Sequence, residues 1–273
     1  MQTLRVGISP CPNDTFAFYA LVHQALPQPA FKLEVTYADI SELNTFALAG
    51  ELDFVKISYF TYAKQPERFR LLESGSALGH GVGPLLVALK GKRPLLEGSR
   101  VALPGLSTTA HLLFHLYAPG TYHREEALFS AIPQAVADGL YDYGVIIHES
   151  RFTYQDYGLE LVQDLGQYWE EAFGVPIPLG GIIAQPHVPA ETVQAFEQQL
   201  AKSIRYAWAH EEEAMPYVRQ YAQEMQDDVM RQHIGLYVNA YSEALGPAGH
   251  EAIQRLTTEA YSLSKYLKLL ERR

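Results

Sequence analysis

The chain has 273 residues, 48% of them hydrophobic and 19% charged, a balance that supports a packed core in one large or two modest domains. Its formal net charge of -10 argues against nucleic acid or an anionic membrane as the main partner, because both need a basic surface, but leaves room for a small anion held by a few local donors. Cys11 is the one cysteine, so an internal disulfide and a cysteine-built zinc site are excluded.

The N-terminus runs straight into a strand pattern without the basic, apolar and small-residue regions of a signal peptide. No apolar run approaches the roughly 18 residues of a membrane helix, and the expected location is the cytoplasm. Residues 4 to 8 read as a short buried strand, followed by the turn Ser9-Pro10-Cys11-Pro12-Asn13-Asp14 and a helix carrying Phe16, Ala20 and Leu21. Phe31, Leu33, Val35 and Tyr37 alternate with more polar neighbours, which is the period of a strand. Residues 39 to 50 form a predicted helix ending in a glycine cap, and 53 to 57 another strand. Strand and helix alternating in this way point to a parallel α/β sheet.

After the glycine-rich segment 74–83 the rhythm restarts: a strand over 100–103, the turn Pro104-Gly105, a helix over 107–117, and a helix-strand pair over 133–147. From about residue 189 the pattern is helical, with Val193, Phe196, Leu200, Ile204 and Ala207 forming a core-facing stripe. Two segments share a spacing. Leu43, Ala47, Gly50 and Asp53 precede one strand; Ile132, Val136, Gly139 and Asp142 precede another. The repeat predicts one such unit in each of two α/β lobes, each aiming polar residues out of a strand's C-terminal end, where open α/β sheets bind ligands. The expected division is 1–88 with 185–273 in the first lobe and 89–184 in the second.

Several groups could carry chemistry at that cleft. His148 follows the apolar run Val145-Ile146-Ile147; a histidine at a strand's mouth either serves as a general base or merely caps the strand. Ser107, Thr108 and Thr109 open a helix after a turn, either as ordinary N-cap chemistry or as part of an anion site. Lys56 and Ser58 end another strand, where the lysine either snorkels or faces an anion. His111 and His115 share a helix face but read as plain surface histidines, and Gly79-x-Gly81-x-Gly83 leads into a strand, which rejects a dinucleotide loop and suits a close-packed crossing.

Four blocks carry a resemblance: Ser9-Pro10-Cys11-Pro12-Asn13-Asp14-Thr15-Phe16, Lys56-Ile57-Ser58-Tyr59, Gly79-x-Gly81-x-Gly83-Pro84-Leu85, and Ile146-Ile147-His148-Glu149-Ser150-Arg151-Phe152-Thr153-Tyr154. Together they resemble the 1,4-dihydroxy-6-naphthoate synthases of the futalosine route to menaquinone. The resemblance implies a two-lobed, type II periplasmic-binding-protein-like α/β fold with a ligand cleft between the lobes and a helical C-terminal segment. It implies a lyase that converts cyclic dehypoxanthine futalosine to 1,4-dihydroxy-6-naphthoate and a three-carbon sugar fragment. By the same resemblance His148 is the base, and Lys56, Ser58, Thr108 and Thr109, with Ser107, Ser9 and Asn13, face the substrate. No metal or organic cofactor is expected, and the expected partner is a small anionic substrate. The rival readings are a chorismate dehydratase-like sister enzyme and a non-catalytic binder of small anions.

Overall fold

The structure, a computed structural model, describes residues 2–27, 31–92, 95–222 and 226–270, with side chains described through Leu263. The few positions of the expected lobe ranges outside these segments, the two chain ends among them, lie outside the described residues.

The first lobe begins with β1 (Gln2–Ile8), α1 (Pro12–Val22), β2 (Phe31–Tyr37), α2 (Ile40–Ala49), β3 (Phe54–Ser58) and α3 (Tyr59–Lys64), followed by the short strands β4 (Arg70–Leu71) and β5 (Ala77–Gly79). Then come β6 (Leu85–Leu89), β7 (Arg100–Leu103), α4 (Thr109–Tyr117), β8 (His123–Glu126), α5 (Ile132–Ala137), β9 (Tyr143–Ile146), α6 (Ser150–Thr153), β10 (Leu159–Asp164) and α7 (Leu165–Phe173). The chain returns through β11 (Ile177–Ala184) and closes with α8 (Ala190–Ala209), α9 (Glu211–Tyr221), α10 (Asp227–Tyr237), α11 (Ala240–Glu243) and α12 (Gly246–Leu270).

Two separate sheets result, one ordered β2-β1-β3-β11-β4 with β5 also on β11, the other β10-β6-β9-β7-β8. They share a plan. β1 is parallel to β2 and β3, with β11 antiparallel beside β3. β7 is parallel to β8 and β9, with β6 antiparallel beside β9. The two repeated strands therefore lie in different sheets.

The sheet pairing sets the crossings a few residues earlier than the expected breaks at 88/89 and 184/185. β6 belongs to the second sheet and β11 to the first. The reason lies in the strands themselves. Leu85, Leu86, Val87 and Ala88 are all buried, and a run that is apolar on both faces needs a central place, here between β9 and β10. The chain turns into it at Gly83, where a Cβ would lie 2.2 Å from the Cα of Gly166, so no side chain fits between the two backbones.

Each sheet buries both faces. Leu4, Val6, Ile8 and Phe54 pack with Phe196, Leu200, Ile204 and Ala207 of α8, while Val55, Ile57 and Ile183 pack under Leu43 and Ala47 of α2. In the second lobe Val87, Ala102 and Ile146 pack under Ile132 and Val136 of α5. Its other face joins a core that runs across the lobe junction through Tyr59 and Phe60 of α3, Leu112 and Phe114 of α4, and Ala252, Ile253 and Leu256 of α12. That shared core holds the two sheets on either side of one cleft.

Candidate functional site

The strands β1, β3, β7 and β9 all end at this cleft: β3 carries Lys56 and Ser58 itself, and the other three are followed by their functional residues in the next turn or helix start. A partly open cavity lies there, lined by Ser9, Asn13, Asp14, Lys56 and Ser58 from the first lobe and Thr108, Thr109 and His148 from the second. Its apolar walls include Ile40, Val82, Pro84, Ile147, Leu179 and Tyr237. Apolar walls with a few convergent polar groups suit a small organic ligand.

Seven of the eight expected side chains meet at the cavity; Ser107 does not. Ser107 contributes its backbone carbonyl instead, which accepts from Ser58 Oγ at 2.9 Å and Thr61 Oγ1 at 2.7 Å. Those bonds tie the first lobe to the start of α4 in the second. Thr109 adds another tie: its hydroxyl donates to the Leu179 carbonyl at 2.9 Å and accepts from the Phe60 N–H at 3.2 Å. Thr108 N-caps α4 and donates to the Gly105 carbonyl at 2.6 Å.

The three hydroxyl protons of Ser58, Thr108 and Thr109 are thus committed within the protein. All three residues line the cavity as expected of substrate-facing groups, and a bond from their hydroxyls to a ligand would replace an internal one. In a helix the first backbone N–H groups have no intrahelical acceptor, and the first two residues of α4, Thr109 and Ala110, line the cavity. The positive end of the helix dipole adds to their pull on an anion.

Lys56 lines the cavity and faces an anion within the protein. It is 5% exposed, and its Nζ sits 3.0 Å from Asp14 Oδ1 and donates to the Gly75 carbonyl at 3.0 Å. The anion it meets is therefore internal. Asp14 is further held by the Ser9 hydroxyl at 2.7 Å, the Ser9 N–H at 3.2 Å and the Asn13 side-chain amide at 2.8 Å. Removing one partner of such a buried pair strands the other charge.

His148 follows β9 with φ 56, a left-handed backbone that costs a non-glycine residue on the order of 1–2 kcal/mol. The turn is pinned by its neighbours: Arg151 donates to the Gly83 carbonyl and, at 2.9 Å, to Asp164 Oδ2. The half-buried imidazole meets the edge of Phe129 with centroids 5.0 Å apart and lies nearly parallel to His233 at 5.8 Å. Burial in the cleft lowers its pKa to about 4, with Lys56 pushing the same way and Asp14 and Asp39 opposing. At neutral pH the ring is uncharged and has a lone pair to offer, as a base requires.

Among the described residues, one group of donors could approach a metal: Cys11, His148 and Glu149, whose ligand atoms lie within 4.8 Å of one another. Cys11 is buried, and burial, with the charge of Glu149, pushes its thiol well up. A protonated thiol is a poor ligand, which works against metal capture. His111 and His115 prove to be buried rather than on the surface. His111 Nδ1 is 2.8 Å from the Leu106 carbonyl, and His115 Nδ1 is 3.3 Å from Arg124 Nη2, so both serve the second lobe's interior.

The sequence reading missed His233. It is fully buried on α10, where Met230, Ile234 and Tyr237 are buried too. Its one signal in sequence is a histidine standing in the apolar stripe of an otherwise amphipathic helix.

Known proteins resemble the chain over nearly its whole length. A family described as menaquinone biosynthesis matches residues 4–262. A Thermus thermophilus protein named 1,4-dihydroxy-6-naphthoate synthase is 48% identical, covering 95% of this chain and 94% of its own. A Streptomyces coelicolor protein of the same name is 45% identical, covering 95% and 93%. Among solved structures, a protein from Archaeoglobus fulgidus superposes with a TM-score of 0.90 at 32% identity, covering 96% of this chain and 98% of its own. The periplasmic aliphatic sulphonate binding protein of Escherichia coli has a TM-score of 0.68 at 11% identity, covering 98% and 88%; that likeness is one of fold.

Proposed function

The chain belongs to the menaquinone-biosynthesis family, and from that premise we propose that it is a lyase acting on cyclic dehypoxanthine futalosine, with His148 as general base. The product is 1,4-dihydroxy-6-naphthoate, released together with a three-carbon sugar fragment, in the cytoplasm. The observation that carries this reading is His148 itself: an imidazole held neutral at the mouth of β9, beside a cavity with apolar walls and the first residues of α4.

The substrate's aryl carboxylate sits at the Thr109 and Ala110 amides of α4, where negative charge is favoured. Its ring system lies along Ile40, Val82, Leu179 and Tyr237, whose burial by the ligand supplies affinity at roughly 25 cal/mol per Å² of apolar surface covered. The sugar hydroxyls face the polar group around Ser9 and Asn13. His148 takes a proton from the substrate; the carbon–carbon bond to the three-carbon fragment breaks, and its electron pair stays with the ring that becomes aromatic. The proton on His148 then leaves with a product or to water. Gain of aromaticity drives the cleavage, and every step uses groups the chain already holds.

The test is direct. Purified protein is incubated with the cyclic futalosine derivative, and the naphthoate and the three-carbon fragment are sought by mass. Their appearance in equal amounts is the expected result. Tight binding with no cleavage would replace the lyase by a non-catalytic binder of small anions, and water loss from chorismate would move the chain to the sister dehydratase.

A further inference from the structure

The contact between His148 and His233 joins the two lobes. His148 comes from the turn after β9 in the second lobe, whereas Met230, Ile234 and Val238 around His233 pack in the first lobe's core. The two imidazoles lie nearly parallel, 21° apart with centroids separated by 5.8 Å. Tyr237, one turn further along α10, flanks His233 at 4.6 Å and reaches the cavity wall.

What fixes His233 can be followed bond by bond. Lys56 holds Asp14 as a charged partner at 3.0 Å. A carboxylate only accepts, so Asn13, 2.8 Å away, turns its NH₂ group to Asp14. The Asn13 carbonyl oxygen is then left facing His233 Nε2 at 2.9 Å. An amide oxygen also only accepts, so the proton of His233 sits on Nε2 and Nδ1 carries a bare lone pair. That Nδ1 is buried and finds no hydrogen-bond partner among the described residues. A buried acceptor without a donor is costly. Burial, then proximity to His148, lowers the His233 pKa well below its ordinary value, so this ring stays uncharged.

We infer that His233 is a positioning residue for the reaction: anchored on the first lobe through Asn13, its uncharged ring is the surface against which the second lobe's His148 seats when the lobes meet. Phe129 holds the imidazole from its own lobe and His233 from the other, so the proton acceptor is placed only with the cleft assembled. The same ring excludes water from one face of His148. The other groups near His148 are Asp14 on α1, Lys56 on β3, Asp39 ahead of α2, and the adjoining Cys11 and Glu149.

The inference rests on His148 being the base, and its test separates the two ideas. His233→Phe keeps a flat apolar face and loses the bond to Asn13; His233→Asn keeps a polar group and loses the face. Two quantities are read in each: the pH dependence of kcat/KM, and the titration of the His148 ring followed by NMR in ligand-free protein. His233→Asn is expected to lower kcat by about a hundredfold, the scale of a small misplacement at a reacting centre, with KM changed less than about threefold. Its His148 titration moves up from about 4 toward the ordinary 6.5. In His233→Phe the titration stays low and most of kcat survives. A wild-type kcat per folded molecule with an unmoved titration in His233→Asn overturns the inference, however far its melting temperature falls. If the Asn variant does not fold, a rise of the His148 titration in the Phe variant overturns it equally. Because the titration is read without substrate, a wild-type protein that forms no naphthoate defeats the proposed function and leaves this result standing on its own.

Discussion

In the first lobe Asp53 accepts the Arg5 backbone N–H at 2.8 Å and its guanidinium at 2.9 Å; in the second, Asp142 accepts the Arg100 backbone N–H at 2.8 Å. The aspartates follow Gly50 and Gly139, which both adopt φ 73, a left-handed helix end that glycine takes without penalty. Asp53 and Asp142 each also donate their own N–H to the partner arginine's carbonyl at 2.9 Å. The same device therefore locks the strand after the glycine to an arginine of the neighbouring strand in both lobes. At the other ends of those strands the likeness stops. The first lobe offers a closed ion pair, Lys56 with Asp14; the second offers a buried helix start at the cavity wall and a strained, neutral histidine. Scaffold is repeated and chemistry is divided: one lobe supplies fixed charge, the other the proton acceptor.

That division can be broken from either side. The largest expected effect is on the second lobe's base. His148→Asn should lose on the order of a hundred- to ten-thousand-fold in kcat while folding normally and still binding substrate, as measured by calorimetry beside turnover. The first lobe should fail differently. Lys56→Met strands the buried Asp14 carboxylate and should cost about 3–5 kcal/mol of stability, seen as a lower denaturant midpoint. Adding Asp14→Asn to it should return most of that loss, which a purely substrate-binding Lys56 would not predict.

Ties between the lobes come next in size. Thr109→Val leaves the Phe60 N–H and the Leu179 carbonyl without their partner and should cost about 1–3 kcal/mol, read as weaker substrate binding together with a lower melting temperature. The smallest effect is expected where the lobes are alike. Asp142→Ala at the partly exposed clamp should cost no more than about 1 kcal/mol and leave kcat unchanged. A large loss of kcat there would show that the scaffold and the chemistry are not separable.

How much of this was legible in the sequence follows the same line. The clamp was visible because it is local: helix, glycine, aspartate and strand follow one another, and the repeat of that spacing announced two sheets. The positions of His148 and of the Ser107-Thr108-Thr109 run were visible because a strand's end and a helix's start each carry a signature. The pairing of Lys56 with Asp14 was not, since those residues are 42 apart in the chain and meet only when β1 and β3 are neighbours. For the same reason the hydroxyls read as free donors in sequence and are occupied in the fold. Ser107 serves through a carbonyl, which no side-chain reasoning reveals. The crossing strands β6 and β11 were set on the wrong side of the lobe breaks because an apolar run does not state which sheet it will join. His233 was hidden in a helical stripe, and its meaning lies in a contact with the opposite lobe.

The central claim is that the cleft keeps His148 uncharged so that it can accept a proton. The most direct measurement is the pH dependence of kcat/KM, which reports the ionisation of groups in the free enzyme. His148 is inactive once protonated, so activity falls as the medium is acidified through its pKa. Wild-type protein should lose activity with an acid limb near pH 4, where the cleft places this imidazole, and not near its ordinary 6.5. The residual activity of His148→Asn should lack that limb. An acid limb near 6.5 in the wild type, or one that persists unchanged in His148→Asn, would contradict the account.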